Sequence, residues 1–527
     1  MTPTTTRSRI PAIDLPLDAV LFAINALVDP VAPAPDATPR AVPGVRRLLQ
    51  ALARAGLTPH ALAVRHQDHA GRGRHLADTA DHLAAAGLGP DLLDVVDADA
   101  ALPGATRART LVVTRCPEMA AGLSGAGHPV AILAGDAIAP LLHAWLAPRV
   151  GAFAAARMLV GPLADEAADA AAARQLRLTK PPGSLGRLEH IGGRLAAIAG
   201  ESPPPVPRPA ATAVFAGDHG VHAQGVSPWP QEVTAQMVAN FMAGGAAVNV
   251  LAAQAGADVV VVDVGVASDV PGLDRTDDEP VGAPADGLRA GEGTARPLPR
   301  LLRRTVRRGT ADLAIGPAMT VDEARRALDV GAEVAALLVD GGARCLVTGD
   351  MGIANTTPSA ALIATLTDRP AASVTGRGTG IDDALLTRKT ALVAAAAARA
   401  RYQHGDDALA VLAEVGGLEH AALAGFIVGA AALQVPVVID GVIAAAALLV
   451  ASRLVAGVEQ CVIAGHRSAE PGSAAVLAEL ATEPVLDLDL RLGEGTGAVL
   501  ALPLIEAAAR VLHEMATFDQ AGVSDKG

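Results

Sequence analysis

The sequence predicts an α/β protein of two units, each built on a parallel sheet. Three observations support this. At 527 residues the chain is too long for one compact core. Short apolar strands alternate with Ala-rich helical runs, the pattern of β-α-β crossovers. The texture changes between residues 147 and 170, which places a boundary near 158 and separates units 1–157 and 158–527.

In the first unit, apolar segments 18–24, 59–64, 110–113 and 130–134 read as strands, with a helical run at 45–55. In the second, strand 211–216 ends at Gly217-Asp218-His219-Gly220, strand 258–263 at Gly265, and strand 313–315 at Gly316-Pro317. Strand 344–348 ends at Gly349-Asp350, strand 436–439 at Asp440-Gly441, and strand 461–463 at Ala464-Gly465-His466. Ala-rich helices such as 391–401 and 408–414 lie between them. Open α/β sheets form their ligand crevice at the carboxyl ends of the strands. Small and acidic residues gathered at so many strand ends therefore predict one shared site.

Composition narrows the function. Hydrophobic residues make up 51% of the chain but aromatics only 2%, so the cores are aliphatic. A net charge of −13 argues against a nucleic-acid binder, which needs a basic face. It leaves room for a small phosphate-bearing substrate, held by a few backbone amides and a lysine. Cys116, Cys345 and Cys461 are odd in number and far apart, so buried thiols are expected and no disulfide framework or metal site. The N-terminus shows no apolar leader segment. The uncharged stretch 421–439 is nearly long enough to span a bilayer. It divides better into an Ala-rich helix, a buried strand at 435–439 and a second helix from Val442, so a soluble cytoplasmic protein is expected. The basic run RPLPRLLRRTVRRG (296–309) reads as a solvated helix face. There is no G-x-x-x-x-G-K-[ST] run, and neither Gly-rich segment, 376–380 or 493–497, is the dinucleotide fingerprint.

Seven longer segments follow in order: LTKPPGSLGRLE (178–189), GDHGVHAQGVSPWPQEV (217–233), GDMGIANTT (349–357), Gly416-Gly417, Asp440-Gly441, HRSAEPG (466–472) and RLGEGTGA (491–498). Together they closely resemble the nicotinate-nucleotide–dimethylbenzimidazole phosphoribosyltransferases, over residues from about 165 to 520. The resemblance implies a Rossmann-like parallel sheet with flanking Ala-rich helices, a smaller helical subdomain, and a homodimer. It implies nicotinate mononucleotide and dimethylbenzimidazole as substrates and no cofactor. Glu494 matches the family's catalytic glutamate. Asp350, Gly352, Asn355 and Thr356 match the ribose-phosphate segment, and Lys389 a lysine near the phosphate. Gly316 and Pro317 resemble a second nucleotide-facing loop. Asp218, His219, Asp440, Gly493 and Gly495 fall at the pocket. Many relatives carry Glu at the position of Asp350, and Trp229 and Met237 stand at pocket positions that are polar in some relatives. These departures leave the accepted base open among benzimidazoles, purines and phenols.

Residues 18–150 resemble, more distantly, the haloacid-dehalogenase-like fold. Ala23 and Asn25 stand where its two aspartates belong, and Thr114-Arg115-Cys116-Pro117 where an acidic metal-binding pair belongs. Phosphoaspartate chemistry needs those carboxylates, so this unit is expected to be inert. A chain cut near 158 is then expected to keep its activity. The competing readings are a binding protein without turnover, or a bifunctional enzyme with an N-terminal phosphatase.

Overall fold

The computed structural model describes residues 19–23, 45–55, 57–63, 83, 88, 94–97, 110–114, 130–132, 138–272 and 299–524. Among these the strands form two sheets, parallel throughout. The first is ordered β3-β2-β1-β4-β5. Its strands are β1 (Ala19–Ala23), β2 (Thr58–Ala63), β3 (Asp94–Asp97), β4 (Thr110–Thr114) and β5 (Val130–Ile132), with helix α1 (Val45–Arg54) joining β1 to β2. Two helices, α2 (Ile138–Val150) and α3 (Ala152–Leu159), lead out of it.

Next come α4 (Asp165–Arg177) and α5 (Arg187–Ala199), then β6 (Ala210–Gly217), α6 (Val233–Met242), α7 (Ala247–Ala255), β7 (Ala257–Gly265), β8 (Arg300–Arg303) and α8 (Val321–Asp340). They are followed by β9 (Cys345–Met351), α9 (Thr356–Thr367), α10 (Ala371–Val374), α11 (Asp383–His404), α12 (Ala408–Val415) and α13 (Leu418–Ala432). The chain continues with β10 (Val437–Ile439), α14 (Val442–Leu454), β11 (Val462–Arg467), α15 (Pro471–Glu479), β12 (Pro484–Asp487), α16 (Thr496–Glu514) and α17 (Phe518–Ala521). The large sheet is ordered β12-β11-β10-β9-β6-β7-β8. Its order reverses between β6 and β9, where Phe215 pairs with Asp350, and a crevice opens at such a switch point.

Strand periodicity divides the core in two. Ala213 and Phe215 of β6, with Val260 and Val262 of β7 and Leu346 of β9, face the layer of α8, α13 and α14. Val214, Val261 and Val347 face the layer of α6, α7 and α16. The helices α13 and α8 lie so close that a Cβ on Gly331 or Gly425 would overlap the backbone of the opposite helix. Every residue of α13 is buried, and β10 and α14 follow it, so 421–439 is core. The segments Val233–Ala255 and Thr496–Glu514 are long and apolar enough to cross a membrane by length and composition, but the first is two helices here, α6 and α7, and 56% of the second is buried. The helices α4, α5 and the end of α16 pack together around Ala171, Ala196 and Leu512.

Two sequence readings change. Residues 313–315 are a turn and not a strand. The Asp312 carboxylate accepts from the Ala314 amide at 2.9 Å, and the Ala311 amide closes the loop onto the Ala318 carbonyl at 2.7 Å. The described part of the basic run, from residue 299, is no helix face. Arg300–Arg303 is strand β8, paired with β7 at the sheet edge. Its arginines at 300, 303, 304, 307 and 308 happen to repeat at helical spacing, but charges of this kind also guard an exposed edge. The strand β12 was not foreseen.

The two units share one core. The apolar cluster containing Phe22, Leu48 and Leu111 runs through Ala155, Ala156 and Leu159 of α3 into Leu328 and Phe426. The α3 amide of Phe153 donates to Asp329 of α8 at 2.8 Å. Residue 158 lies inside α3.

Candidate active site

The carboxyl ends of the central strands carry the polar residues that the aliphatic core cannot absorb. Asp218 and His219 follow β6, Asp350 ends β9, Asp440 follows β10, and His466 lies on β11. The loop from β12 to α16 brings Glu494 over them. All six are buried.

Glu494 has a φ of 65°, a left-handed conformation costly for a side-chain-bearing residue, between Gly493 at 83° and Gly495 at 93°. Two contacts hold it there. Asp440 accepts from the amides of Gly495, Gly497 and Ala498 at 3.2, 2.8 and 3.0 Å, acting as an anion at the N-terminus of α16. Below, Gly349 of β9 lies against the Glu494 backbone, where a Cβ would come within 2.6 Å of its carbonyl oxygen. Burial pushes the Glu494 carboxyl up to about 7; a hydrogen bond from the Val248 amide works against this and the Asp440 charge adds to it. Its Oε2 has no hydrogen-bond partner.

Asp350 lies next to this loop, since a Cβ on Gly493 would meet its Oδ2 at 3.2 Å. Burial, with Asp440, Glu419 and Glu494 close by, holds its carboxyl well above the usual range and favours the protonated form. Asn355 donates to Asp350 Oδ2 at 3.0 Å, and Oδ1 is without a partner. The site thus pairs two buried carboxyl groups, one poised as a base near neutrality and one inclined to keep its proton.

A second cluster adjoins the N-terminus of α9. Lys389, buried on α11, donates to Thr356 Oγ1 at 2.8 Å and to the Gly376 carbonyl at 3.1 Å. Burial lowers its ammonium to about 8, against the pull of Glu470. Glu470 accepts from the Gly378 amide at 2.7 Å, and Arg491 donates to the Gly378 carbonyl at 3.2 Å. The Gly-rich loop 376–380 is therefore tied to the run that carries Glu494. A cation, a hydroxyl and a helix N-terminus together suit a phosphate group.

The remaining predicted residues lie around this centre. Gly352 packs on the Gly217 carbonyl and on His219. Asp218 accepts from the Ala267 amide at 2.8 Å and joins the ends of β6 and β7. The Gly316-Pro317 turn is held from behind: Arg399 donates to the carbonyls of Leu313 and Gly316 at 2.8 and 3.2 Å. Trp229 is half exposed on its loop, and Met237 packs on the α6 side of the sheet. None of the described contacts brings Pro317, Trp229 or Met237 onto Glu494. Glu419, His420, Ser359 and Glu470 were missed by sequence reasoning. Glu419 and His420 closely follow Gly416-Gly417, and Glu470 sits inside HRSAEPG, so the motifs were in view while the polar residues in or beside them went unassigned. Among the described residues no group of His, Cys, Asp and Glu is arranged to hold a metal ion.

A family model described as a phosphoribosyltransferase (DBI_PRT) matches residues 160–523. The nicotinate-nucleotide–dimethylbenzimidazole phosphoribosyltransferase of Salinispora tropica is 56% identical over 367 residues, covering 70% of this chain and 98% of the relative. This chain belongs to that family. The Chloroflexus aurantiacus member is 52% identical over 367 residues, covering 70% of this chain and 97% of its own. A crystal structure of CobT from Thermus thermophilus superposes with a TM-score of 0.60 at 47% identity, covering 68% of this chain and 100% of that one. The family match begins at residue 160, directly after α3.

Proposed function

We propose that the chain transfers ribose 5-phosphate from nicotinate mononucleotide to 5,6-dimethylbenzimidazole. The products are α-ribazole 5′-phosphate and nicotinate, in assembly of the lower nucleotide loop of cobalamin. An azole nitrogen attacks the ribose C1′, the bond from C1′ to the pyridinium nitrogen breaks, and the proton on the second azole nitrogen passes to Glu494. The pyridinium leaves as a neutral ring, so the reaction needs a base and no general acid. The observation that carries this reading is Glu494 itself. It is a buried carboxylate with a pKa near neutrality and one oxygen unpartnered, fixed in a costly backbone conformation. Lys389, Thr356 and the α9 N-terminus take the donor's phosphate, and Asp350 with Asn355 faces the ribose. A mere binding protein has no use for a tuned base.

Nicotinate release from nicotinate mononucleotide should require dimethylbenzimidazole. Glu494→Gln should slow it by at least about 100-fold, the usual contribution of a positioned base. Nearly full activity in that variant would remove Glu494 from the role.

We read residues 1–157 as a degenerate haloacid-dehalogenase-like unit without catalysis. Its β3-β2-β1-β4-β5 order and a first strand ending at Ala23 support this, while Asn25 and residues 115–117 lie outside the described residues. Family membership supports a cytoplasmic homodimer.

A further inference from the structure

Beneath the carboxyl groups of the site lies a network that the transfer chemistry does not itself require. Glu419, the second residue of α13, is fully buried. Its Oε1 stands 2.9 Å from His219 Nε2 and 2.8 Å from His420 Nδ1. Both rings are fully buried too. On its far side His420 Nε2 meets Ser359 Oγ of α9 at 2.7 Å. That hydroxyl also donates to the Asn355 carbonyl at 2.9 Å, and the Asn355 amide group donates to Asp350. One continuous chain of contacts therefore runs from β6 through α13 and α9 to the carboxyl group at the end of β9.

Three motifs leave room for it. A Cβ on Gly417 would come within 2.5 Å of His219 Cε1, 2.6 Å of Glu419 Oε2 and 2.8 Å of His420 Nδ1. A Cβ on Gly217 would stand 3.2 Å from Glu419 Oε2, and one on Gly352 would stand 3.2 Å from His219 Nε2. Replacing a buried charged group by well-packed apolar side chains is often neutral or stabilising, so stability alone is a weak reason to keep this cluster. What it does do is reach the loop 349–355, through Ser359 and Asn355.

We propose that Glu419 is a positioning residue for the transferase: through His420 and Ser359 it sets the placement of Asn355 and Asp350 against the substrate. Glu419 touches no reacting atom. The inference rests on the transferase reading, and wild-type turnover tests that reading separately.

The test is a double-mutant cycle with thermal melting recorded for every variant. Glu419→Gln is expected to lower kcat at saturating substrates by at least about 10-fold, the scale of coupling within one network of ion pairs and hydrogen bonds. Ser359→Ala cuts the chain between His420 and the loop while keeping the buried carboxylate. It should reproduce most of that loss with melting within a few degrees of wild type. In an Asp350→Asn background, either change should cost less than about 3-fold, because the group being positioned is already altered. Equal losses in both backgrounds would mean that Glu419 only supports the fold, and would overturn the proposal. So would a Ser359→Ala enzyme with full kcat, including the case in which Glu419→Gln fails to fold. If the wild-type enzyme shows no transfer at all, it is the transferase reading that fails.

Discussion

Deleting residues up to 137 and deleting them up to 160 should give different proteins, although both remove the N-terminal sheet. The second deletion takes α3 with it. Ala155, Ala156 and Leu159 are almost wholly buried, and α3 packs against α8 and α13. Losing it uncovers α13, whose residues are all buried in the full chain. A lower bound on the cost comes from a single position. Leu159 is 1% exposed, and truncating such a leucine to alanine costs about 2–5 kcal/mol. Unfolding entropy of about 2.1 cal/mol/K per residue, over the 527 residues of a chain whose units share one core, gives roughly 1.1 kcal/mol/K. Leu159→Ala should therefore lower Tm by roughly 2–5 °C, and deletion to 160 should cost more. Deletion to 137 keeps α2 and α3, along with the bond from the Phe153 amide to Asp329, and should stay nearer to wild type. Scanning calorimetry with parallel nicotinate-release assays would measure both. A protein starting at residue 161 that melts with the full chain would refute the reasoning.

The pH dependence follows from two buried groups moved in opposite senses. Glu494 must be ionised to accept a proton and its carboxyl is raised to about 7, so kcat/KM should rise with pH through that value. Lys389 must be protonated to hold phosphate and is lowered to about 8, so kcat/KM should fall above it. Lys389→Met should abolish the falling limb and raise the donor KM by about 10–100-fold, as for loss of a charged hydrogen bond; a falling limb that persists would clear Lys389. Asp440→Asn removes a charge that holds the Glu494 carboxyl up and an acceptor that holds its loop. The rising limb should move to lower pH and kcat should drop, and an unmoved limb would show that burial alone tunes Glu494.

Fold class, strand ends and the candidate base could all be read along the chain. Parallel strands buried on both faces read as apolar runs closed by glycine, and β6, β7, β9, β10 and β11 lie where those runs predict. RLGEGTGA pointed to Glu494 through its match to the family's run, and in the structure the glycines on both sides of it share its positive φ. Elements set by non-local pairing were not legible. Residues 313–315 have strand composition, but the Asp312 side chain turns the chain there. Arg300–Arg303 has helix-like charge spacing, but β7 offers it a partner. The surroundings of the base depend on contacts between distant elements. Asp440 was legible as a strand-end carboxylate, yet its task of holding the N-terminus of α16 appears only when β10 and α16 meet. No pattern along the chain announces that His219 and His420 meet at Glu419 with Ser359 behind His420, because they come from the end of β6, from α13 and from α9. The extent of the N-terminal unit has the same origin. Composition changes near residue 158, but burial is a property of surfaces, and α3 belongs to the surface that it covers.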